Sequence, residues 1–304
     1  MISQSFSPSP IAKPILLSGR EPAKHLEEIT RQFVQKQWLT WSYVWILFLW
    51  DNPASATYVS MKGAFASKVW LATKVFGQLD SPLHDVQAVY DCIDMLNADD
   101  LCVWILIQLP VPDLFMSALP SFLSRVAPHK DIDGLWWIAF GKASIWLFDF
   151  LPATPAAVMG LLDRYDLWAV RGKTVTILGQ SNLIGKPLAY ALMWREATVY
   201  SYNAYSNPDV VKKTCQQSDI IISCTGVVHL ITSSYVRTDK SQIIIDVGWG
   251  KKDGKAVGDV ALDQIAPLVW AYTPLPGWVG PMTVANLFHN VKVLRELHNV
   301  AKLV

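Results

Sequence analysis

The stretch that most constrains this chain is Thr174-Val-Thr-Ile-Leu-Gly179-Gln-Ser-Asn-Leu-Ile-Gly185-Lys-Pro187, a β-branched run that breaks on one glycine and resumes as a helix after a second. A strand that ends in a glycine turn and feeds a helix aims backbone N–H groups and a helix N-terminus at one spot, which suits a pyrophosphate. The spacing departs from G-x-G-x-x-G, and such a glycine pair also serves plain turns, so its weight comes from the strand–turn–helix context. Ser181 is not a nucleophile elbow, because G-x-S-x-G would need glycine where Leu183 stands.

Around this turn, short β-branched runs at 175–178, 197–200, 220–223 and 243–247 are separated by helix-length segments, the pattern of a doubly wound nucleotide-binding sheet. Upstream, Ala23, Leu26, Ile29, Phe33 and Val34 recur at helical spacing over 21–37. A strand at 43–49, helices at 56–71 and 86–96, and a strand at 101–109 then make a second parallel βαβ series. The proline-punctuated Phe150-Leu-Pro-Ala-Thr-Pro155, ahead of a helix at 156–165, marks a domain crossing. The expected fold is two-domain α/β: residues 1–150 form an N-terminal α/β substrate domain, and 151–282 a Rossmann-like doubly wound domain. A closing helix over about 283–304 packs back on the first. The Ser/Pro-rich first ten residues read as a mobile tail.

A length of 304 residues suits two compact units, and 52% hydrophobic with 17% charged residues excludes a disordered chain. A net charge of +1 without basic clusters excludes the electrostatic footprint of a nucleic-acid or anionic-membrane binder. The partner is therefore expected to be a small molecule. Cys92, Cys102, Cys215 and Cys224 form no C-x-x-C pair and read as reduced packing residues, with no metal site expected. No basic segment followed by an apolar one opens the chain, so a cytoplasmic location is expected. The most apolar run, 38–50, has 13 residues, short of the roughly 20 that cross a bilayer, and reads as a buried strand.

Four groups outside the glycine turn could carry chemistry. Tyr58 and Lys62 stand four apart in a helix and share a face, where they can meet over a ligand or simply be solvated. Short-chain dehydrogenases carry the same pair after their dinucleotide turn, whereas here it comes more than a hundred residues before it, which disfavours that family. Gln108-Leu-Pro110 closes a strand at the end where open α/β sheets place ligands. Lys130-Asp-Ile-Asp133-Gly134 occupies a turn, a place Asp and Gly also take for conformational reasons. Tyr272-Thr-Pro-Leu-Pro276-Gly277-Trp-Val-Gly-Pro-Met-Thr283, with three prolines and two glycines, is too rigid for an ordinary linker.

Taken in order, these segments, with Asn52-Pro-Ala-Ser, Ile245-Asp-Val-Gly248 and Gly258-Asp-Val, resemble the methylenetetrahydrofolate dehydrogenase/cyclohydrolases over roughly residues 14–298. The resemblance implies a two-domain α/β subunit, usually a homodimer, with folate bound in a cleft between the domains. It implies oxidation of 5,10-methylenetetrahydrofolate by a nicotinamide cofactor, then hydrolysis of the methenyl product to 10-formyltetrahydrofolate, a one-carbon supply for purine biosynthesis. Lys62 is then the residue that serves the chemistry, Gln108 positions it, Tyr58 stacks on the folate and Asp133 holds the pterin. Pro276 and Gly277 border the substrate; Gly179, Gln180, Ser181, Gly185, Thr225, Gly226, Gly248 and Thr283 hold the cofactor. A catalytically silent or single-activity relative is the alternative.

The sequence departs from the family pattern mildly where Pro-Cys-Thr-Pro is Pro152-Ala153-Thr-Pro155 and where Trp136 and Trp137 follow Asp133-Gly-Leu, and more consequentially in two further respects. The arginine frequent in Gly-Arg-Ser is Gln180, and His-Ser-x-Thr is replaced by Asn203-Ala-Tyr-Ser206, yet no acidic residue stands there to bind a free ribose diol. NADP is the expected cofactor, with NAD possible. Secondly, Trp41, Trp45, Trp50, Trp70, Trp104, Trp249 and Trp278 fall where the family pattern or a turn favours glycine. One repeated exchange points to one cause: a codon, UGA above all, that the source decodes as glycine and that is written here as tryptophan.

Overall fold

The computed structural model describes residues 13–49, 53–77, 83, 85–135, 141, 150–167, 170–252, 255–275, 277 and 279–301; the first ten residues lie outside them. The chain divides into two units, one of Ala23–Ala153 with Thr283–Val304, the other of Met1–Pro22 with Thr154–Met282.

In the first of these units a parallel three-stranded sheet has β2 (Tyr43–Leu47) at its centre, between β3 (Ala72–Phe76) and β4 (Cys102–Ile107). The helices are α1 (Arg20–Lys36), α2 (Pro53–Lys68), α3 (Val86–Ala98), the short α4 (Asp113–Met116) and α5 (Leu119–Arg125), and α10 (Val279–Ala301). The core joins Leu47 of β2 and Ile105 and Ile107 of β4 to Ile93 and Leu96 of α3 and Phe122 of α5. Asp85 caps α3 by accepting from the Ala88 N–H at 2.8 Å. The expected long strand over the apolar run is shorter than its hydrophobicity suggested. Its start is a 3-10 turn, Leu39–Trp41, beside which Trp38 and Trp41 are each 84% exposed. β3 went unforeseen because a half-exposed edge strand reading Ala-Thr-Lys-Val-Phe shows no clean apolar period.

The second unit carries a six-stranded, all-parallel sheet in the order β1 (Ile15–Leu16), β11 (Ala271–Tyr272), β8 (Ile243–Asp246), β7 (Ile220–Ser223), β5 (Thr174–Leu178) and β6 (Thr198–Tyr202). β7 and β8 are buried at every position, which explains their unbroken runs of isoleucine. With them come α6 (Ala153–Arg164), α7 (Gly185–Trp194), α8 (Pro208–Gln217), α9 (Leu262–Ile265) and an antiparallel ribbon of β9 (Trp249–Lys252) and β10 (Lys255–Gly258). An N-terminal domain starting at residue 1 was expected. Instead residues up to Pro22 cluster with this second unit, because Ile15–Leu16 extends its sheet and the Tyr165 hydroxyl bonds Ser18 N and O at 2.8 and 3.1 Å.

Two helix ends bear on the tryptophans. At the end of α2, Leu71 N–H donates to Ala66 O at 2.9 Å and Trp70 N–H to Ser67 O at 3.2 Å, the paired closure that puts Trp70 in the left-handed region at φ 62°. Trp38 follows α1 at φ 55°. Among the described members of the expected set, only Trp70 has positive φ. Trp45 and Trp104 are instead paired strand residues, and Trp104 is buried, so no turn demands glycine there. Trp50 and Trp278 lie outside the described residues. No helix among the described residues is long and apolar enough to cross a membrane.

Candidate functional site

Lys62 projects from α2 one turn beyond Tyr58, and both side chains are half-buried. The strand β4 delivers Gln108 immediately past its last residue, where the buried carboxamide oxygen accepts from Lys62 Nζ at 2.9 Å. The other end of that carboxamide is fixed as well, since Gln108 Nε2 donates to Leu109 O at 2.6 Å. Burial holds the Lys62 pKa below that of an ordinary lysine, while the negative charge of Asp133 works against that shift. The Asp133 carboxyl is pushed up by burial and pulled back by Lys62. Burial also raises the Tyr58 hydroxyl, which therefore stays protonated at neutral pH. The three groups thus form one partly dehydrated set, centred on an amine that loses its proton more readily than usual.

The turn that carries Asp133 is built by its neighbours. Lys130, a residue of the same motif, points away from this set. Its buried ammonium donates to Leu96 O, Asn97 O and Asp99 O, each at 2.9 Å, and so caps the C-terminal end of α3. Asp131 accepts from Gly134 N–H at 3.0 Å, and Gly134, at φ +69°, leaves no room for a Cβ, which would sit 2.2 Å from the Phe150 ring. From α10, Asn290 Nδ2 donates to Ile132 O at 3.1 Å and to Leu151 O at 3.2 Å, tying the turn to the closing helix. Asn290 gave no sequence signal beyond being polar on an apolar helix face.

In the other unit the strand order reverses at β5: the chain runs from β5 to β6 on one side and later returns to β7 on the other. Connections leaving such a switch point diverge and open a crevice at the carboxyl ends of the strands. A cavity of about 470 Å³ occupies that place, lined by Gly179, Gln180 and Ser181 after β5, Asn203 after β6 and Thr225 after β7, with no charged residue in its wall among the described residues. Gly179, at φ +114°, is pressed against the next loop so closely that a Cβ would lie 2.7 Å from Cys224 O. Gly185 opens α7, where a Cβ would meet Gly179 O at 1.9 Å. Burial, with the charge of Asp259, pushes the Cys224 thiol up to about 12, so it stands neutral in the wall and bonds Leu178 O at 3.2 Å. A phosphate-bearing dinucleotide fits this arrangement of tight glycine turn, helix start and neutral wall.

The loop after β7 is pinned by a residue the sequence reading quoted only as part of a motif. Asp259 is wholly buried, and its Oδ2 accepts from Ser223 Oγ and Thr225 N at 2.7 Å, Thr225 Oγ1 at 2.8 Å and Gly226 N at 3.3 Å. Its Oδ1 is buried without a hydrogen-bond partner among the described residues. Asp246, at the end of β8, accepts from the N–H groups of Asp259 and Val260 at 3.1 Å each. Burial and the neighbouring Asp259 raise Asp246 to about 7, against the pull of those N–H bonds. Gly248 is packed on this pair: a Cβ there would lie 2.1 Å from Asp259 Oδ2. The expected cofactor residues therefore divide. Gly179, Gln180, Ser181 and Thr225 border the cavity, Gly185 and Gly226 adjoin residues that do, and Gly248 makes room for Asp259. Thr283 stands half-buried in α10, outside the cavity lining; Gly277 takes φ +139°, and Pro276 lies outside the described residues.

Comparison with known proteins adds an independent line. Residues 17–133 match the catalytic-domain model of tetrahydrofolate dehydrogenase/cyclohydrolase, and residues 152–299 match its NAD(P)-binding domain. The chain is 35% identical to the bifunctional protein FolD 2 of Lactobacillus johnsonii over 287 residues, covering 93% of this chain and 98% of that protein. It superposes on the bifunctional FolD methylenetetrahydrofolate dehydrogenase/cyclohydrolase of Campylobacter jejuni with a TM-score of 0.83 at 32% identity, over 93% of this chain and 99% of that one. The Trypanosoma brucei methylenetetrahydrofolate dehydrogenase-cyclohydrolase, solved with NADP and an inhibitor, gives a TM-score of 0.85 at 25% identity, over 95% and 99%.

Proposed function

The chain belongs to the tetrahydrofolate dehydrogenase/cyclohydrolase family, and on that premise we propose that it oxidises 5,10-methylenetetrahydrofolate and hydrolyses the methenyl product to 10-formyltetrahydrofolate. The nicotinamide cofactor, when bound, accepts the two electrons of the oxidation. The chain's own residues do the rest. Gly179, Gln180, Ser181, Gly185, Thr225 and Gly226 form the cofactor turn and the loop facing it, with Gly248 and Thr283 as supporting positions. NADP is the proposed cofactor, with NAD accepted. Pro276 and Gly277 are proposed to border the substrate.

The observation that carries the reading is the 2.9 Å bond from Lys62 to Gln108 beside the Asp133 carboxyl. A methenyl-folate cation is attacked by water, and an amine with a depressed pKa is available to take the proton that water loses. Gln108 fixes the position of that amine through its doubly held carboxamide. Asp133 is suited to the paired N–H donors of a pterin edge, because a carboxylate accepts them in charge-assisted fashion. Tyr58 supplies an aromatic face one turn away. A catalytically silent relative would have no reason to keep this set intact.

Lys62→Ala is the decisive variant. Hydrolysis of added methenyltetrahydrofolate should fall by 10²-fold or more, the usual worth of a positioned acid–base group, while cofactor binding measured by calorimetry persists. An unchanged hydrolysis rate rejects the assignment. A homodimer and a cytoplasmic location enter the proposal on the family expectation, and light scattering of the purified protein tests the first.

A further inference from the structure

Resting on the cofactor reading above, we infer that a neutral amide pair, Gln180 with Asn203, reads the adenosine ribose, and that the chain therefore takes the 2′-hydroxyl and 2′-phosphate dinucleotides with little discrimination. Gln180 is the first residue after the glycine that ends β5, and Asn203 the first after β6, which places both at the strand ends where the ribose of a dinucleotide is read. The two are locked together. Asn203 Nδ2 donates to Gln180 Oε1 at 2.9 Å, and Gln180 Nε2 donates to Ser201 O at 2.9 Å. Asn203 Oδ1 is engaged by Tyr205 N–H at 2.9 Å, and Asn203 N–H donates to Ser206 Oγ at 3.1 Å, so the loop holds the amide in one orientation.

What the ribose meets follows from this bonding. Both carboxamide oxygens accept bonds from within the protein, and each amide nitrogen keeps a second hydrogen beyond the one it spends. Neutral N–H donors bond a hydroxyl oxygen or a phosphate oxygen alike. Strong preference needs charge: a guanidinium that pairs with the phosphate, or a carboxylate that accepts from the diol and repels the phosphate. Among the described residues, neither lines the cavity. The Lys186 ammonium is held by Asn182 Oδ1 at 2.7 Å, and Lys212 lies over the Tyr235 ring at 5.8 Å; neither side chain is part of the wall.

The test is calorimetric binding of ADP and of 2′,5′-ADP to the full-length protein, with circular dichroism to establish that each variant is folded. The unsubstituted chain should bind the two within about threefold of each other. Gln180→Arg should shift the ratio at least tenfold toward 2′,5′-ADP, and Asn203→Asp should shift it toward ADP. A preference beyond tenfold in the unsubstituted chain, or a ratio unmoved in both folded variants, overturns the inference while leaving the cofactor site standing. Failure of both nucleotides to bind overturns the inference and the cofactor reading together.

Discussion

Trp70 holds a backbone conformation that costs an L side chain about 1–2 kcal/mol and glycine nothing comparable. Against that stands a cation–π contact from Arg31, 5.7 Å from the ring of a 45% exposed indole, worth about 0.5–1 kcal/mol at an exposed site. The backbone cost exceeds that contact, but the half of the indole that is buried offsets the rest at Trp70; at Trp38, 84% exposed, little burial is lost, so Trp38→Gly should stabilise the protein by roughly 1 kcal/mol, read as a urea midpoint. This sign is opposite to the usual result of deleting an aromatic. If Trp38→Gly destabilises, the helix-end reading is wrong. The recoding expectation thus sharpens to positions 38 and 70, where geometry and not only pattern asks for glycine, and it loses the turn argument at 45 and 104. Peptides from the protein purified from its source should carry glycine at residues 38 and 70; tryptophan there, or UGG codons, ends it. Lys62 also makes a prediction at this scale. Because the Asp133 charge raises its pKa, Asp133→Asn should move the ascending limb of the hydrolysis pH profile to lower pH at saturating substrate. A limb that stays or moves up would show that the two charges do not communicate.

Between β7 and β10 the chain turns on two buried carboxyls, and both leave a signature. Asp259→Ala strips the shared acceptor from Ser223, Thr225 and Gly226. The expected loss is about 3 kcal/mol of stability, the scale of unpaired donors that had bonded a charge, with weaker nucleotide binding. Equal binding to the unsubstituted chain would separate Asp259 from the cofactor loop. Asp246 titrates near 7 in the folded chain, well above an unfolded aspartate, so folding takes up a proton between those values. Its contribution is complete below about pH 4 and is lost as pH rises to about 7. Urea titrations should show that fall, and Asp246→Asn should flatten it. These carboxyls entered the sequence analysis only inside quoted motifs, without a role, because their partners are backbone and hydroxyl groups distant in sequence, whereas Lys62 and Gln108 stood out by position on a helix face and at a strand end. The same contrast holds for whole elements. β5, β7 and β8 were legible from unbroken β-branched runs, but β1 and β11 are two-residue strands, too short to show a pattern, that form by pairing onto the edge of β8 and onto each other.

On the scale of the whole molecule, the Lys62 set belongs to one unit and the nucleotide cavity to the other, which makes the two activities separable by mutation. Asp259→Ala should raise the KM for the cofactor in the oxidation while added methenyl-folate is still hydrolysed, and Lys62→Ala should do the reverse. Loss of both activities in both folded variants would argue against that separation. Each unit is also discontinuous in sequence: one needs residues 1–22 as well as 154–282, the other 23–153 as well as 283–304. Domains synthesised as one continuous stretch can close as they emerge from the ribosome. Here β1 must wait for β11, and the Asp133 turn must wait for Asn290. A nascent chain halted after residue 153 would already hold Lys62 and Gln108 but not the helix that ties down Asp133. Both units therefore finish assembling late, in the same stretch of translation.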